Sequence, residues 1–483
     1  RLGWYGGKGA RLIQDFQGFG PSTQPSVTTD QVTGRVSCSN WTETQHWDVP
    51  ADAVPGIYVV KIFLTNDVYY ANHIAFVVRN DASTASVLFK TSDATWQAYN
   101  FFGDMSAYKG FSPGTPNMIA HKSSYDRPFD TRDGRAVSPW GDWLFNAEYP
   151  MIRFMERNGY DMTYTTDVDM DRAATSPINA NTKVFLSVGH DEYWSLNLRN
   201  RVEAARASGV HLAFLSGNEA YWKIRWEDNH RTMVCYKEGS PINGIGENMC
   251  YSNCDPQTPW TGLWRAGGTG SDANQPENAL TGQIGWENSI SDIAVPSLYA
   301  PLRLWRNSPV AALSAGNYTL SMASLGYEWD SDRDDFLSYY PKGRVQLSTT
   351  MFNGRTHHLS LYRDKTSHAL VFGAGSIQFT WGLDATHDYT DGYDESVANP
   401  ATQQFVVNLL AEMGVSANTL MPGLTAVTAF GDQTAPTTTI TQPANNADFQ
   451  PNQQVVFSGT STDAGNGAMM GGMEISIDNG QTW

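Results

Sequence analysis

Positive charge is scarce in this chain. Across 483 residues, 32 Lys and Arg face 49 Asp and Glu, giving a net charge of −17. Bulk electrostatic attraction to DNA, RNA or an anionic membrane surface is therefore not expected. Long apolar runs are missing as well: no stretch of 18 apolar residues occurs, so neither a transmembrane helix nor membrane insertion is predicted. Charged residues of both signs amount to 17%, below the roughly 25% of typical globular proteins. Gly, Ser, Thr, Asn and aromatics fill the difference, a balance that predicts a secreted, strand-rich protein. No signal peptide stands before Arg1 and the sequence breaks off at Trp483 inside a β pattern, so a processed piece of a longer polypeptide is expected.

Cysteine is rare too, limited to Cys38, Cys235, Cys250 and Cys254. Cys235 with Cys250 or Cys254 would close a short loop rich in Gly, Asn and Pro, and a disulfide there is the expectation. Zinc would need more ligands than the spacing of Cys250 and Cys254 supplies.

Length alone predicts two or three domains. Residues 1–84 hold strand-length segments between turn signals, with alternation at Tyr58 to Leu64 and Ile74 to Val78, which predicts an antiparallel β-sandwich. From Ser86 the pattern becomes strand, loop, helix, predicting an α/β domain over residues 85–420. SVLFKTS reads as a strand and TWQAYNFFGDMSAYKGFSPGTP as a long loop. Asp142 to Asn158 reads as a helix, Tyr160 to Tyr164 as a strand, Ser195 to Ala207 as a helix and Gly209 to Leu215 as a strand. The last helix is expected at Gln403 to Met413. Long insertions between Asp228 and Glu287 have the length of lids or binding loops. A linker over 421–436 leads to the opening of a second β-sandwich at 437–483, where SIDNGQTW matches a hairpin pattern.

The densest chemistry follows the apolar run Val184 to Val188 and the turn at Gly189, where His190, Asp191, Glu192 and Tyr193 stand side by side. In open α/β sheets the carboxyl end of a strand is where ligands bind. Capping of the following helix is the plain role for Glu192. A cap needs one side chain, however, and a His and a Glu together suit metal ligation or acid–base work. Tyr193 and Trp194 read as packing. GFSPG, from Gly110 to Gly114, matches G-x-S-x-G but lacks the strand before and the helix after that a nucleophile elbow requires. Taken alone, Tyr99 and Tyr108 read as hydrophobic plugs. Glu328, beside Trp329, reads either as an acid–base carboxyl or as part of a solvated acidic loop.

Together the strings TWQAYN, SYDRPF, EYPMIRFMERNGYD, SVGHDEYWS, SGNEAYW, PENALTG and GYEWD resemble the N,N-dimethylformamidase large (beta) subunit family, in particular its secreted multidomain bacterial members. The resemblance covers about residues 86–415 and the leading RLGWYGGKGAR. It implies an α/β glutamine-amidotransferase-like (flavodoxin-like) central domain, here flanked by immunoglobulin- or fibronectin-like β-sandwich domains. It also implies hydrolysis of a formamide C–N bond at a mononuclear iron held by two tyrosinates and a glutamate. Carried over by motif, the ligands fall on Tyr99, Tyr108 and Glu192, with His190 and Glu328 as acid–base neighbours. Asn218 stands where a thiol-dependent amidotransferase domain would carry its cysteine, which excludes thiol catalysis there. We expect Asn218 to donate a hydrogen bond to the developing oxyanion.

Relatives of this kind work with a small partner subunit inside cells, whereas this chain is expected outside them. The expected partners are a small amide substrate, or an extracellular glycan or protein, with homo-oligomer or surface assembly left open. The rival class is a non-catalytic surface protein, whose 16 Trp and 22 Tyr would make a carbohydrate- or protein-binding face.

Overall fold

A computed structural model describes residues 1–16, 20, 22–112, 115–116, 119–133, 136–137, 143–172, 176–239, 255–265, 274–285, 287–388, 397–431 and 436–462. The SIDNGQTW hairpin, Cys250, Cys254 and the Pro113–Gly114 end of GFSPG lie outside those residues. In chain order the elements that position the site are β1 (Gly56–Leu64), β2 (Asp67–Val78), β3 (Val87–Lys90), α1 (Asp93–Tyr99), α2 (Glu148–Arg157), β4 (Met162–Thr165) and α3 (Asp167–Asp171). They continue with β5 (Val184–Gly189), β6 (Tyr193–Ser195), α4 (Leu196–Ala207), β7 (His211–Ser216) and β8 (Trp222–Glu227). The set closes with β9 (Thr232–Val234), β10 (Glu328–Trp329), β11 (Val345–Gln346), β12 (Ser360–Arg363), β13 (Leu370–Gly373) and α5 (Pro400–Glu412).

Seven of the described strands form one sheet in the order β4-β3-β5-β7-β13-β12-β11. The first five pair parallel, while β12 pairs antiparallel with both β13 and β11. Counted along the chain, the parallel strands are ordered 2-1-3-4-5, so the winding reverses between β3 and β5, the place where ligands bind in such sheets.

β5 is buried along its whole length, as a central parallel strand covered on both faces must be. Its side chains alternate between two cores. Val184, Leu186 and Val188 join the α2 residues Met151, Ile152, Phe154 and Met155 and the α5 residues Phe405 and Leu409. Phe185 points the other way, into a core with Leu198, Val202 and Ala205 of α4. Leu2 and Ile57 from the leading segment enter the first core. The described part of residues 1–84 contains the β1–β2 hairpin and a short antiparallel pair, Thr28–Thr29 with Val36–Ser37. Near the other end, Thr437–Gln442 pairs antiparallel with Ser458–Thr462. No helix of the described residues is long and apolar enough to cross a membrane.

Three expectations need correction. TWQAYN is not loop: α1 occupies it, held by the burial of residues 93–98 rather than by a capping side chain, a case of packing overriding weak propensity. The last helix starts earlier than expected, because Pro400 takes its first turn and Asn399 caps it by accepting from the N–H groups of Ala401 and Thr402. The Cys235 disulfide is not formed. Cys235 is a free buried thiol whose Sγ lies 3.9 Å from the Lys223 carbonyl, packed beside Trp222, Ile224 and Met233. Cys38 is also free.

Candidate functional site

The chain turns sharply at the end of β5. Gly189 lies at φ +103°, and a Cβ there would come within 2.5 Å of Glu148 Cδ and 2.6 Å of Ser92 Oγ. Only glycine tolerates both the conformation and the approach. The turn then presents His190, Asp191 and Glu192, and neighbouring elements tie its backbone. Asp191 N–H donates to Ser216 Oγ at 3.1 Å and Glu192 N–H to Thr95 Oγ1 at 3.1 Å, while the Glu192 carbonyl accepts Trp222 N–H at 2.9 Å. Ser195, not Glu192, caps α4, accepting Leu198 N–H at 3.2 Å. The plain capping role for Glu192 is thereby set aside.

All six side chains singled out in the sequence meet at this edge. Tyr108 donates its phenol hydrogen to Glu192 Oε2 at 2.7 Å. The Tyr99 ring lies against Tyr108, with centroids 4.2 Å apart, and 5.5 Å from the His190 ring. His190 Nε2 stands 3.3 Å from Glu328 Oε2 and 3.6 Å from Glu192 Oε2. Ligand atoms of His190, Glu192 and Glu328 all fall within 4.8 Å of one another, a group that can hold a metal ion. Asn218, at φ +50°, donates Nδ2 hydrogens to Glu192 Oε1 at 3.2 Å and to Glu328 Oε2 at 2.9 Å. An amide nitrogen has two hydrogens, and here both are committed to carboxylates. Asn218 thus bridges Glu192 and Glu328.

Sequence reasoning missed three neighbours. The Lys237 ammonium sits 3.4 Å from the Tyr108 ring centroid and 4.8 Å from that of Trp222. Tyr193, expected only to pack, donates its hydroxyl hydrogen to the Tyr108 oxygen at 2.7 Å. Tyr327 places its hydroxyl 3.4 Å from His190 Nδ1. Tyr193 and Tyr327 adjoin Glu192 and Glu328 in sequence, which is a usable signal. Lys237 has none.

Burial governs the electrostatics. It raises the Glu192 carboxyl to about 7, with Glu328 adding to the rise and His190 opposing it. The phenols of Tyr99 and Tyr108 are held well above their ordinary value, first by burial and then by Glu192 and Glu328. Burial lowers Lys237 to about 8, and Glu192 offsets part of that. A cation among these oxygens would reverse the balance, favouring phenolate and carboxylate together.

A family model described as N,N-dimethylformamidase beta subunit-like, C-terminal, matches residues 1–394. The chain belongs to this family. No curated protein matches it. Membership places the chain among dimethylformamidase-like hydrolases, and the matched stretch contains every side chain of the site described above. The N,N-dimethylformamidase beta subunit-like match therefore coincides with the one described group of His and Glu side chains that can hold a metal ion.

Proposed function

We propose that this edge of the sheet hydrolyses an amide-type C–N bond with a mononuclear iron held by Tyr99, Tyr108 and Glu192. The observation that supports the proposal is the hydrogen bond from Tyr108 to Glu192 at 2.7 Å with the Tyr99 ring against that of Tyr108, which brings two phenol side chains and a carboxylate to one edge of the sheet. This donor set is hard and oxygen-rich, as ferric or ferrous iron prefers. Bound there, iron would polarise the substrate carbonyl and lower the pKa of water. The remaining chemistry belongs to the chain. Of Glu328 and His190, 3.3 Å apart, one takes a proton from the attacking water and returns it to the departing amine nitrogen. Asn218 holds Glu192 and Glu328 at a fixed separation while this happens. Burial keeps bulk water from competing.

The 2-1-3-4-5 order of the parallel strands supports a glutamine-amidotransferase-like (flavodoxin-like) central domain. The acidic, charge-poor composition supports an extracellular setting and a small amide substrate. One alternative ligand set has an observation in its favour: His190, Glu192 and Glu328 lie within 4.8 Å and would hold a metal without phenolates. Elemental analysis and a visible spectrum separate the two. Protein purified without chelators is expected to contain iron and show a tyrosinate charge-transfer band. Iron without that band favours the His–Glu–Glu set, and colourless, iron-free protein refutes the proposal.

A further inference from the structure

Behind the site a single lysine is enclosed by acid. Lys90, the last residue of β3, has a fully buried side chain whose Nζ lies 2.5 Å from Asp167 Oδ1, 2.8 Å from Asp191 Oδ1 and 3.0 Å from the Thr91 carbonyl. Asp191 Oδ2 lies 2.8 Å away as well, so the three ammonium hydrogens are surrounded by acceptors. Each carboxylate leads to a different part of the site. The other oxygen of Asp167 accepts Ala94 N–H at 2.9 Å in the first turn of α1, the helix that ends at Tyr99. Asp167 N–H in turn donates to Asp93 Oδ1 at 2.8 Å. Asp191 stands between His190 and Glu192, and its second oxygen is held by Ser187 Oγ. We propose that Lys90 is a positioning residue that fixes Tyr99 and Glu192 relative to each other through Asp167 and Asp191.

The physical basis is that both arms are charge-assisted hydrogen bonds in a dry interior, where a shift of either element strands a charge. Thr95 Oγ1, accepting Glu192 N–H at 3.1 Å, is the only other direct tie between α1 and the turn among the described hydrogen bonds. A hydrogen bond to a neutral hydroxyl is the weaker of the two restraints. The inference rests on the iron reading only in taking Tyr99 and Glu192 as ligands of one ion.

Lys90→Met alone would leave two buried carboxylates uncompensated and endanger the fold. The test therefore uses K90M/D167N, which removes one buried charge of each sign while the Asn oxygen can still cap α1, and separately D191N, which weakens only the arm to the turn by removing its charge. Both are expected to lower kcat by about 10- to 100-fold with KM changed by less than about threefold. Both should also move or weaken the visible band of the iron-loaded protein and alter the near-ultraviolet circular dichroism of the Tyr99–Tyr108 pair. A folded K90M/D167N or D191N with kcat, band and dichroism within twofold of the parent overturns the role of Lys90. If K90M/D167N does not fold, D191N decides alone. A parent protein without the band overturns the iron reading instead, and the dichroism of the tyrosine pair then decides on Lys90.

Discussion

Glu148 opens α2 directly beneath Gly189 and is almost fully buried. Its Oε1 accepts the Ser92 hydroxyl at 2.5 Å and the Trp96 indole N–H at 2.8 Å. Burial nevertheless wins, and the carboxyl is raised from 4.5 to about 7. A carboxyl raised on folding binds its proton more tightly in the folded chain. Its favourable contribution is complete below about pH 4.5 and is lost as the pH climbs through about 7. Across that window the loss amounts to about 3 kcal/mol. In Glu148→Gln the amide oxygen keeps both donors and the charge disappears. Urea unfolding in the presence of a chelator, at pH 4 and pH 8.5, should show the variant equal to the parent at the lower pH. At the higher pH it should be more stable by about 3 kcal/mol. A variant that is less stable than the parent at pH 8.5, or a difference that does not change with pH, would refute the idea that desolvation dominates this carboxyl.

Tyr108→Phe removes the donor to Glu192 and the acceptor of Tyr193. It should lower stability by about 1–3 kcal/mol while reducing the tyrosinate band and abolishing most turnover, read by thermal melting and visible absorption; an unchanged band would exclude Tyr108 as a ligand. Burial raises the Cys235 thiol to about 12, so alkylation of native protein should leave it unmodified. Denaturation without reductant should then expose it to full labelling, and resistance at that stage would reveal the disulfide that the structure lacks.

The stretch from Val184 to Glu192 was legible because an uninterrupted apolar run is what a strand covered on both faces requires, and a glycine followed by titratable residues marks its end. Helix α1 was not, since its seven residues carry no side-chain cap and are held by burial that only the assembled fold provides. Tyr99 and Tyr108 looked like plugs, and Glu328 read equally as an acid–base carboxyl or a solvated acid, until the shared strings tied them to Glu192. Lys237 left no trace in the sequence, because its place over the Tyr108 ring is a product of tertiary packing alone. Asn218 was found, but its bridge between Glu192 and Glu328 was not: spacing indicates which residue arrives at an edge, not which partners its hydrogens meet there. The expected disulfide failed for a related reason, as loop length says nothing of which side a thiol faces.

Tyr108 and Glu192 are 84 positions apart, and Glu192 and Asn218 are 26 apart. The full set of side chains at this locus is therefore assembled only by the closed sheet, and the unfolded chain offers at most the local pairs Tyr99–Tyr108 and His190–Glu192. If iron binds as proposed, the folded geometry of the donor set, rather than sequence-local affinity, would set which metal it takes. Extra iron in the growth medium should load correctly folded molecules without rescuing variants that fail to fold.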